Sequence, residues 1–404
     1  MIKKIKFCEV CNVRLKDFLN LGKHPMCDDL KRIYSNKQNR LFPISLSLCS
    51  KCLTVTQRIH ISKKILFPKK YHYRAKLTKD VLLGQKDLVL KTKKNYGSLK
   101  NKVVLDIGAN DCSLLNEFKK NGAKTVAVEP TNAIKDGNSY HHKFQSYFNS
   151  KIAKTIIKNY GEIDFITFTN VFAHINNLKE LINNLKILIS DKTIIIIENH
   201  YLGSVLKKKQ FDTFYSEHLR TYSLNSFLFI AKNLNMNVEF VEFPSRYGGN
   251  IRVFLNKKNN LLSIKRNEYY LSKEKDFKKE FKKIKFYVKK WRSRKLKKIN
   301  KLNNIYGPLP AKAFPGRAAI ILKLLKLDKK NISAIYEKPN SKKIGFYAPG
   351  TNIKIISEDN LKQVDEKIPI INLAWHIGKE IKNYLIGKKI KNKIINIIDD
   401  RDFL

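Results

Sequence analysis

Val104-Leu105-Asp106-Ile107-Gly108-Ala109-Asn110-Asp111 decides how this chain of 404 residues is read. A short apolar run that closes on an acid and a glycine is a buried strand turning tightly into a helix, whose first amides can face a ligand. Working outward, the pattern predicts a helix over 114–120, a second strand over 125–129, a third over 164–169, and a fourth over 194–198 after a helix at 178–189. Strands that alternate with helices make an α/β fold whose mostly parallel sheet carries helices on both faces.

The chemistry of the loop narrows its ligand. A dinucleotide-binding turn would read Gly-x-Gly-x-x-Gly, and this one has Gly108 followed by Asn110 and Asp111. A single glycine suits a cofactor without a pyrophosphate, and S-adenosylmethionine fits; the plainer reading is a turn capped by Asp and Asn. Asp106 can order the loop or reach a ligand amine. Glu129, followed by Pro130, ends the second strand, where a carboxylate can bind both hydroxyls of a ribose. Asn170 ends the third strand, and His174 just beyond it either lines the cofactor pocket or is a structural loop residue.

Cys8-x-x-Cys11 and Cys49-x-x-Cys52 are two knuckles with 37 residues between them. Four thiolates from two such turns complete a tetrahedral zinc site, closed to substrate and therefore structural. The start of the chain is basic, without an apolar leader, and no apolar stretch approaches the ~20 residues of a membrane span, so a cytoplasmic protein is expected. In a reducing compartment disulfides are the weaker explanation for the four cysteines.

Lys and Arg number 81 against 34 Asp and Glu, a formal charge of +47. Such a charge invites nucleic acid, but the alternative is surplus lysine on solvated faces, and no specific nucleic-acid partner is expected. Within the most basic block, Phe277, Phe281, Ile284, Val288 and Trp291 recur at helical steps, giving one buried stripe and a basic outer face. Beyond 301 a smaller α/β unit is expected, with a helix over 311–327 broken near Pro315, a strand over 332–337 and a helix over 375–386.

Seven motifs in order then resemble one family. They are the four-Cys module, the 105–111 loop, Asn170-Val171-Phe172-Ala173-His174-Ile175, the 210–219 segment with Tyr215-Ser216-Glu217-His218, Gly248-Gly249-Asn250-Ile251-Arg252-Val253, Tyr306-Gly307-Pro308-Leu309-Pro310-Ala311-Lys312, and Pro349-Gly350-Thr351. Together they look like the zinc-containing nucleotide-sugar C-methyltransferases, which methylate carbon 3 of dTDP-linked 4-keto deoxysugars.

The resemblance implies a zinc-binding module (1–75), a Rossmann-like class I methyltransferase domain (76–256), a basic helical connector (257–300) and a C-terminal α/β domain (301–404) that helps hold the nucleotide sugar. It implies S-adenosylmethionine as cofactor, structural zinc, and a nucleotide-diphosphate keto sugar as substrate; a monomer is the favoured state. It places a catalytic Tyr-x-Glu-His group on Tyr215, Glu217 and His218, and an active-site tyrosine on Tyr71 or Tyr73. Cys112 stands where the family generally has glycine, and its side chain is expected to crowd the loop.

The reaction needs a carbon nucleophile, which a base makes by removing a hydrogen next to a ketone. His218 suits that task near neutral pH, Glu217 would orient it or hold the sugar, and Tyr215 would donate to the enolate oxygen. Gly248 and Gly249, ahead of Asn250, permit close approach to substrate, and Arg252 and Lys312 are candidate diphosphate ligands. The competing readings are a zinc-containing RNA or DNA methyltransferase and a non-catalytic scaffold of the same fold.

Overall fold

The computed structural model describes every residue except 1, 17, 18, 36, 70, 72 and 259, and leaves out the side chain of Tyr247. The chain forms two compact units, one from Met1–Lys16, Ser47–Val205 and Leu219–Lys278, the other from Asp17–Leu46, Leu206–His218 and Lys279–Leu404. These differ from the contiguous segments expected from sequence.

The first unit is built on seven strands: β1 (Val103–Ile107), β2 (Lys124–Val128), β3 (His142–Phe144), β4 (Phe165–Thr169), β5 (Ile194–His200), β6 (Asn237–Glu242) and β7 (Asn250–Asn256). Their order across the sheet is β6-β7-β5-β4-β1-β2-β3, with β1 to β5 parallel and β7 antiparallel to both neighbours. That is the mostly parallel α/β sheet expected from the strand and helix pattern, in the Rossmann-like arrangement that the resemblance implies. Val104, Leu105, Ile166, Ile195 and Ile196 are fully buried, as strands covered on both faces require. The strand order reverses between β1 and β4, so the loops after them flank the crevice where open α/β sheets bind ligands.

The N-terminal cysteine module belongs to this unit. The carbonyl of Cys52 accepts from Ser223 Oγ (3.3 Å) and Ser226 Oγ (3.1 Å), the residues that cap helix Leu224–Asn233. The two cysteine turns are thus fastened to a helix end of the methyltransferase-type sheet.

The second unit has its own sheet. Strands Ile394–Asn396, Ile370–Asn372, Leu309–Lys312, Ile332–Glu337 and Lys354–Ser357 lie side by side and parallel, and Phe346–Tyr347 and then Lys31–Arg32 extend the edge antiparallel. Main-chain pairing to Phe346–Tyr347 draws Lys31–Arg32 out of the expected N-terminal module. The helix expected over 311–327 is also corrected. Ala311 and Lys312 finish a strand, Ala313 turns the chain with φ 64°, and the helix runs only over Ala318–Leu325. The basic block is two helices, Leu261–Ser272 and Phe277–Tyr306. Of the predicted stripe Phe277, Phe281, Ile284 and Trp291 are buried and Val288 is half-buried, and Ile299, outside the prediction, is buried as well. No helix among the described residues is long and apolar enough to cross a membrane.

Candidate active site

Each unit carries one group of the expected residues. In the first, Gly108 has φ +81°, and a Cβ there would stand 2.5 Å from Val171 Cγ2. Both the dihedral and the space therefore require glycine. Asn110 also takes a left-handed conformation (φ 50°) and uses its whole side chain as a brace. Its Oδ1 accepts from Ala75 N (3.0 Å) and its Nδ2 donates to the carbonyl of Tyr73 (3.3 Å). Asp111 Oδ2 accepts from Lys76 N (2.9 Å). Asn110 and Asp111 thus stitch segment 73–76 to the loop.

Glu129, the acid after β2, accepts Asn110 N on Oε2 (3.2 Å) and Thr131 N on Oε1 (2.8 Å). A carboxylate has about four acceptor positions, so one on each oxygen is left for ribose hydroxyls. Asp106 is buried and accepts from Thr167 Oγ1 at 2.7 Å. Burial first, and then the charge of Glu129, push its carboxyl up to about 7. Near β4 and β7, Thr169 Oγ1 and Asn250 Oδ1 are buried with no hydrogen-bond partner among the described residues. Such atoms call for a ligand or water. The acidic acceptor set, the glycine turn and these polar atoms fit S-adenosylmethionine, which Asp106, Gly108, Glu129 and the loop after Asn170 would hold; Asn110, whose amide and side chain are already engaged, shapes the loop instead.

Cys112 has φ 62° and is fully buried. The left-handed backbone explains why glycine suits this position. Its side chain does not crowd the loop as expected, because it fills the space beside Gly137, where a Cβ would lie 2.6 Å from the Cys112 sulfur. His174 packs edge-on against Phe67 (5.3 Å between centroids), and Phe67 against Tyr71 (5.8 Å). Tyr71 thus joins an aromatic row that reaches the loop after β4, whereas Tyr73 is 40% exposed. Arg74, which sequence reasoning missed, donates to the carbonyls of Tyr71 (2.6 Å) and Tyr73 (2.9 Å) and pairs with Asp136 (3.0 Å). A lone arginine in a loop carries no signal of that task.

The two expected diphosphate ligands are otherwise engaged. Arg252 is fully buried and bonds Glu198 (2.8 Å), Asp87 (2.9 Å) and Glu242 (2.9 Å). Glu198 in turn holds Arg246 and Asn250, and the two arginines keep its buried carboxyl below the usual range despite burial. Lys312, in the second unit, is 2% exposed and paired with Glu358 and the carbonyl of Tyr336. Both cations are internal counter-charges, because burying either one unpaired would be prohibitive. Gly249 has φ +126°, and a Cβ there would meet Ser204 Oγ at 2.3 Å, so this glycine serves close packing of the chain on itself.

The sulfurs of Cys8, Cys11, Cys49 and Cys52 all lie within 4.8 Å of one another. Cys8 and Cys52 are 3.4 Å apart and Cys11 and Cys49 3.3 Å, too far for disulfides. Zn–S bonds of about 2.3 Å imply tetrahedral edges of roughly 3.8 Å, close to this spread. The two turns repeat one geometry: Asn12 N donates to Cys8 O and Leu53 N to Cys49 O, with Asn12 and Leu53 both at positive φ. The four cysteines fit structural zinc.

In the second unit, segment 210–218 brings together Tyr215, Glu217 and His218. His218 Nδ1 lies 2.8 Å from the carbonyl of Thr213, which can only accept, so Nδ1 carries the proton. The Nε2 lone pair then receives the Tyr215 hydroxyl at 2.7 Å. Burial, followed by neighbouring Cys27 and Glu217, holds the Tyr215 phenol well above its ordinary range. Glu217 is 7% exposed and accepts from Cys27 N (3.1 Å). Burial, helped by Asp28, raises its carboxyl to about 7. In its neutral form this imidazole directs a lone pair at a phenol proton, and together with a carboxyl balanced near neutrality it can exchange protons with a bound substrate.

Against known proteins, residues 80–239 match the family model described as Methyltransferase domain. Residues 245–393 match the one described as C-methyltransferase C-terminal domain. The chain is 25% identical over 258 residues to the C-methyltransferase NovU of Streptomyces niveus, covering 63% of this chain and 61% of that protein. The match therefore spans less than two thirds of that relative. Among solved structures, the magnesium protoporphyrin IX methyltransferase of Synechocystis PCC 6803 is 16% identical, covering 45% of this chain and 86% of its own, with a TM-score of 0.35. A SAM-dependent methyltransferase of Aquifex aeolicus is 14% identical, covering 42% and 88%, with a TM-score of 0.32.

Proposed function

We propose that this chain, which belongs to the C-methyltransferase family, moves a methyl group from S-adenosylmethionine to a carbon next to the ketone of a nucleotide-linked keto deoxysugar. S-adenosylmethionine supplies a methyl on a sulfonium, already activated toward a carbon nucleophile. Glu129 receives the ribose hydroxyls, and Asp106 orders the loop whose glycine lets the backbone come close.

The chain's own chemistry is the making of the nucleophile. Nε2 of His218 takes the proton from the carbon beside the ketone, and the C–H electron pair moves into the enolate. The Tyr215 hydroxyl, which rests on Nε2 in the free protein, turns its proton to the developing enolate oxygen. Glu217, poised near neutrality, hydrogen-bonds the sugar and can carry the proton onward. A relative named for C-methylation supports carbon as the acceptor. The choice of a keto sugar rests on the resemblance of the seven motifs.

The observation that carries this reading is the pair of bonds on His218, one fixing the proton on Nδ1 and the other aiming the Nε2 lone pair. Incubation in D2O with a nucleotide 4-keto sugar and S-adenosylhomocysteine tests it. Deuterium should enter at the carbon beside the ketone with the native chain and not with His218→Asn. Equal exchange by both would assign the base elsewhere.

A further inference from the structure

The segment that presents Tyr215, Glu217 and His218 has little regular structure of its own. Its one 3-10 turn spans Phe211–Thr213, and its main-chain bonds are local turns such as His218 N to Tyr215 O (2.9 Å). A coil of this kind is held by side chains or not at all. The strongest hold is Asp212, which is fully buried. Both of its oxygens are taken: Oδ2 accepts from Arg317 Nε (2.8 Å) and Trp375 Nε1 (2.8 Å), and Oδ1 from Arg317 Nη2 (2.6 Å). Arg317 also donates to Gln210 Oε1 (3.1 Å) and lies over the Trp375 ring at 5.4 Å. A two-pronged arginine–carboxylate pair fixes orientation as well as distance.

Arg317 and Trp375 stand where the second sheet reverses its strand order, just beyond the adjacent strands Leu309–Lys312 and Ile370–Asn372. Asp212 is followed directly by Thr213, whose carbonyl holds the proton on His218 Nδ1. We propose that Arg317 and Asp212 are positioning residues that keep the Thr213 carbonyl on His218 Nδ1, and so keep the Nε2 lone pair of His218 on the Tyr215 hydroxyl.

Without the guanidinium, Asp212 would be a buried carboxylate with an indole as its main remaining donor, and it would have to protonate or swing toward water. Either response moves Thr213. His218 then loses the acceptor that distinguishes its two nitrogens, and the imidazole spreads over both tautomers and both ring orientations. The proposal deepens the function proposed above and rests on it for its kinetic consequence, but not for its structural one.

The test is 15N NMR of histidine-labelled full-length protein, with the His218 signal assigned from its loss in His218→Asn. Native protein should show one tautomer at His218, protonated on Nδ1. Arg317→Gln should show a mixture, and Arg317→Lys, which keeps the charge without the fork, an intermediate. In turnover, Arg317→Gln should lower kcat at least tenfold and move the acid limb of its pH profile, with KM for S-adenosylmethionine within twofold of native. Where Arg317→Gln does not fold, Trp375→Phe removes one donor from Asp212 and should still shift the His218 signals.

An unchanged tautomer in the folded Arg317 variants, or in Trp375→Phe where they do not fold, overturns the proposal. Absence of methyl transfer by the native chain to any keto sugar would instead count against the proposed function. The NMR result decides the positioning role in either case.

Discussion

Replacing Gly108 by alanine tests the geometry of the loop proposed to hold the cofactor. Two costs act at once. The backbone at φ +81° is one that a side chain disfavours by roughly 1–2 kcal/mol. The new methyl would also stand 2.5 Å from Val171 Cγ2 and 2.6 Å from Cγ1. Forcing a methyl into such a contact costs about 1–3 kcal/mol, so Gly108→Ala should destabilise the first unit by roughly 2–5 kcal/mol and abolish cofactor binding. Val171→Ala removes both clashing methyls and, at a half-buried site, should cost about 1 kcal/mol alone.

The double variant keeps the dihedral cost and loses the two sharpest contacts, leaving only the residue 171 Cβ at 3.0 Å, so the two changes should combine less than additively, by about 1–3 kcal/mol. Urea unfolding of the four proteins provides the measurement. Both tryptophans, Trp291 and Trp375, lie in the second unit, so fluorescence follows that unit while far-UV circular dichroism follows the whole chain. A coupling within about 0.5 kcal/mol of zero, or an alanine variant as stable as native, would refute the contact and the reasoning built on it.

Other consequences can be checked separately. Protein made with zinc in the medium should hold one zinc per chain, and Cys49→Ser should lose it together with stability in the first unit; cysteine-replete protein without bound metal would contradict the assignment. Glu217 titrates at about 7 against an ordinary 4.5, so the folded state binds more protons between those values and stability falls as pH rises through them. Glu217→Gln removes that cost, and by fluorescence-monitored unfolding it should be up to about 3 kcal/mol more stable than native at pH 8 and equal to it near pH 4; a difference independent of pH would contradict this. Arg252→Met should lower stability by about 3 kcal/mol by taking one of its two arginines from the buried Glu198, whereas unchanged melting with weakened nucleotide binding would return Arg252 to the substrate.

Much of the first sheet was legible in the sequence because fully buried parallel strands are short continuous apolar runs, as in Val104, Leu105 and Ile107 or Ile194–Ile197. The cysteine module was legible from spacing alone, since two x-x turns converge only one way on a metal. Charge was the poorest guide. An arginine or lysine in a motif looks the same whether it meets a ligand or a buried acid, and the partners Glu198 and Glu358 lie 54 and 46 residues away from Arg252 and Lys312. The strand Leu309–Lys312 was read partly as helix because Pro310 and Ala311 lack β-branched character. Nor could spacing reveal that Asp212 is gripped by Arg317, 105 residues on, or that Lys31–Arg32 completes the edge of a sheet whose other strands begin at Leu309.

The central claim is carbon methylation of a nucleotide-linked keto sugar. Its most direct measurement is incubation of the native chain with methyl-labelled S-adenosylmethionine and a panel of nucleotide 4-keto sugars, followed by mass spectrometry of the sugar products. One or more keto sugars should acquire the labelled methyl on the carbon beside the ketone, and their 4-hydroxy counterparts, which cannot form an enolate, should acquire none. Label on oxygen, label on the hydroxy sugars, or label found only in added RNA would contradict the account.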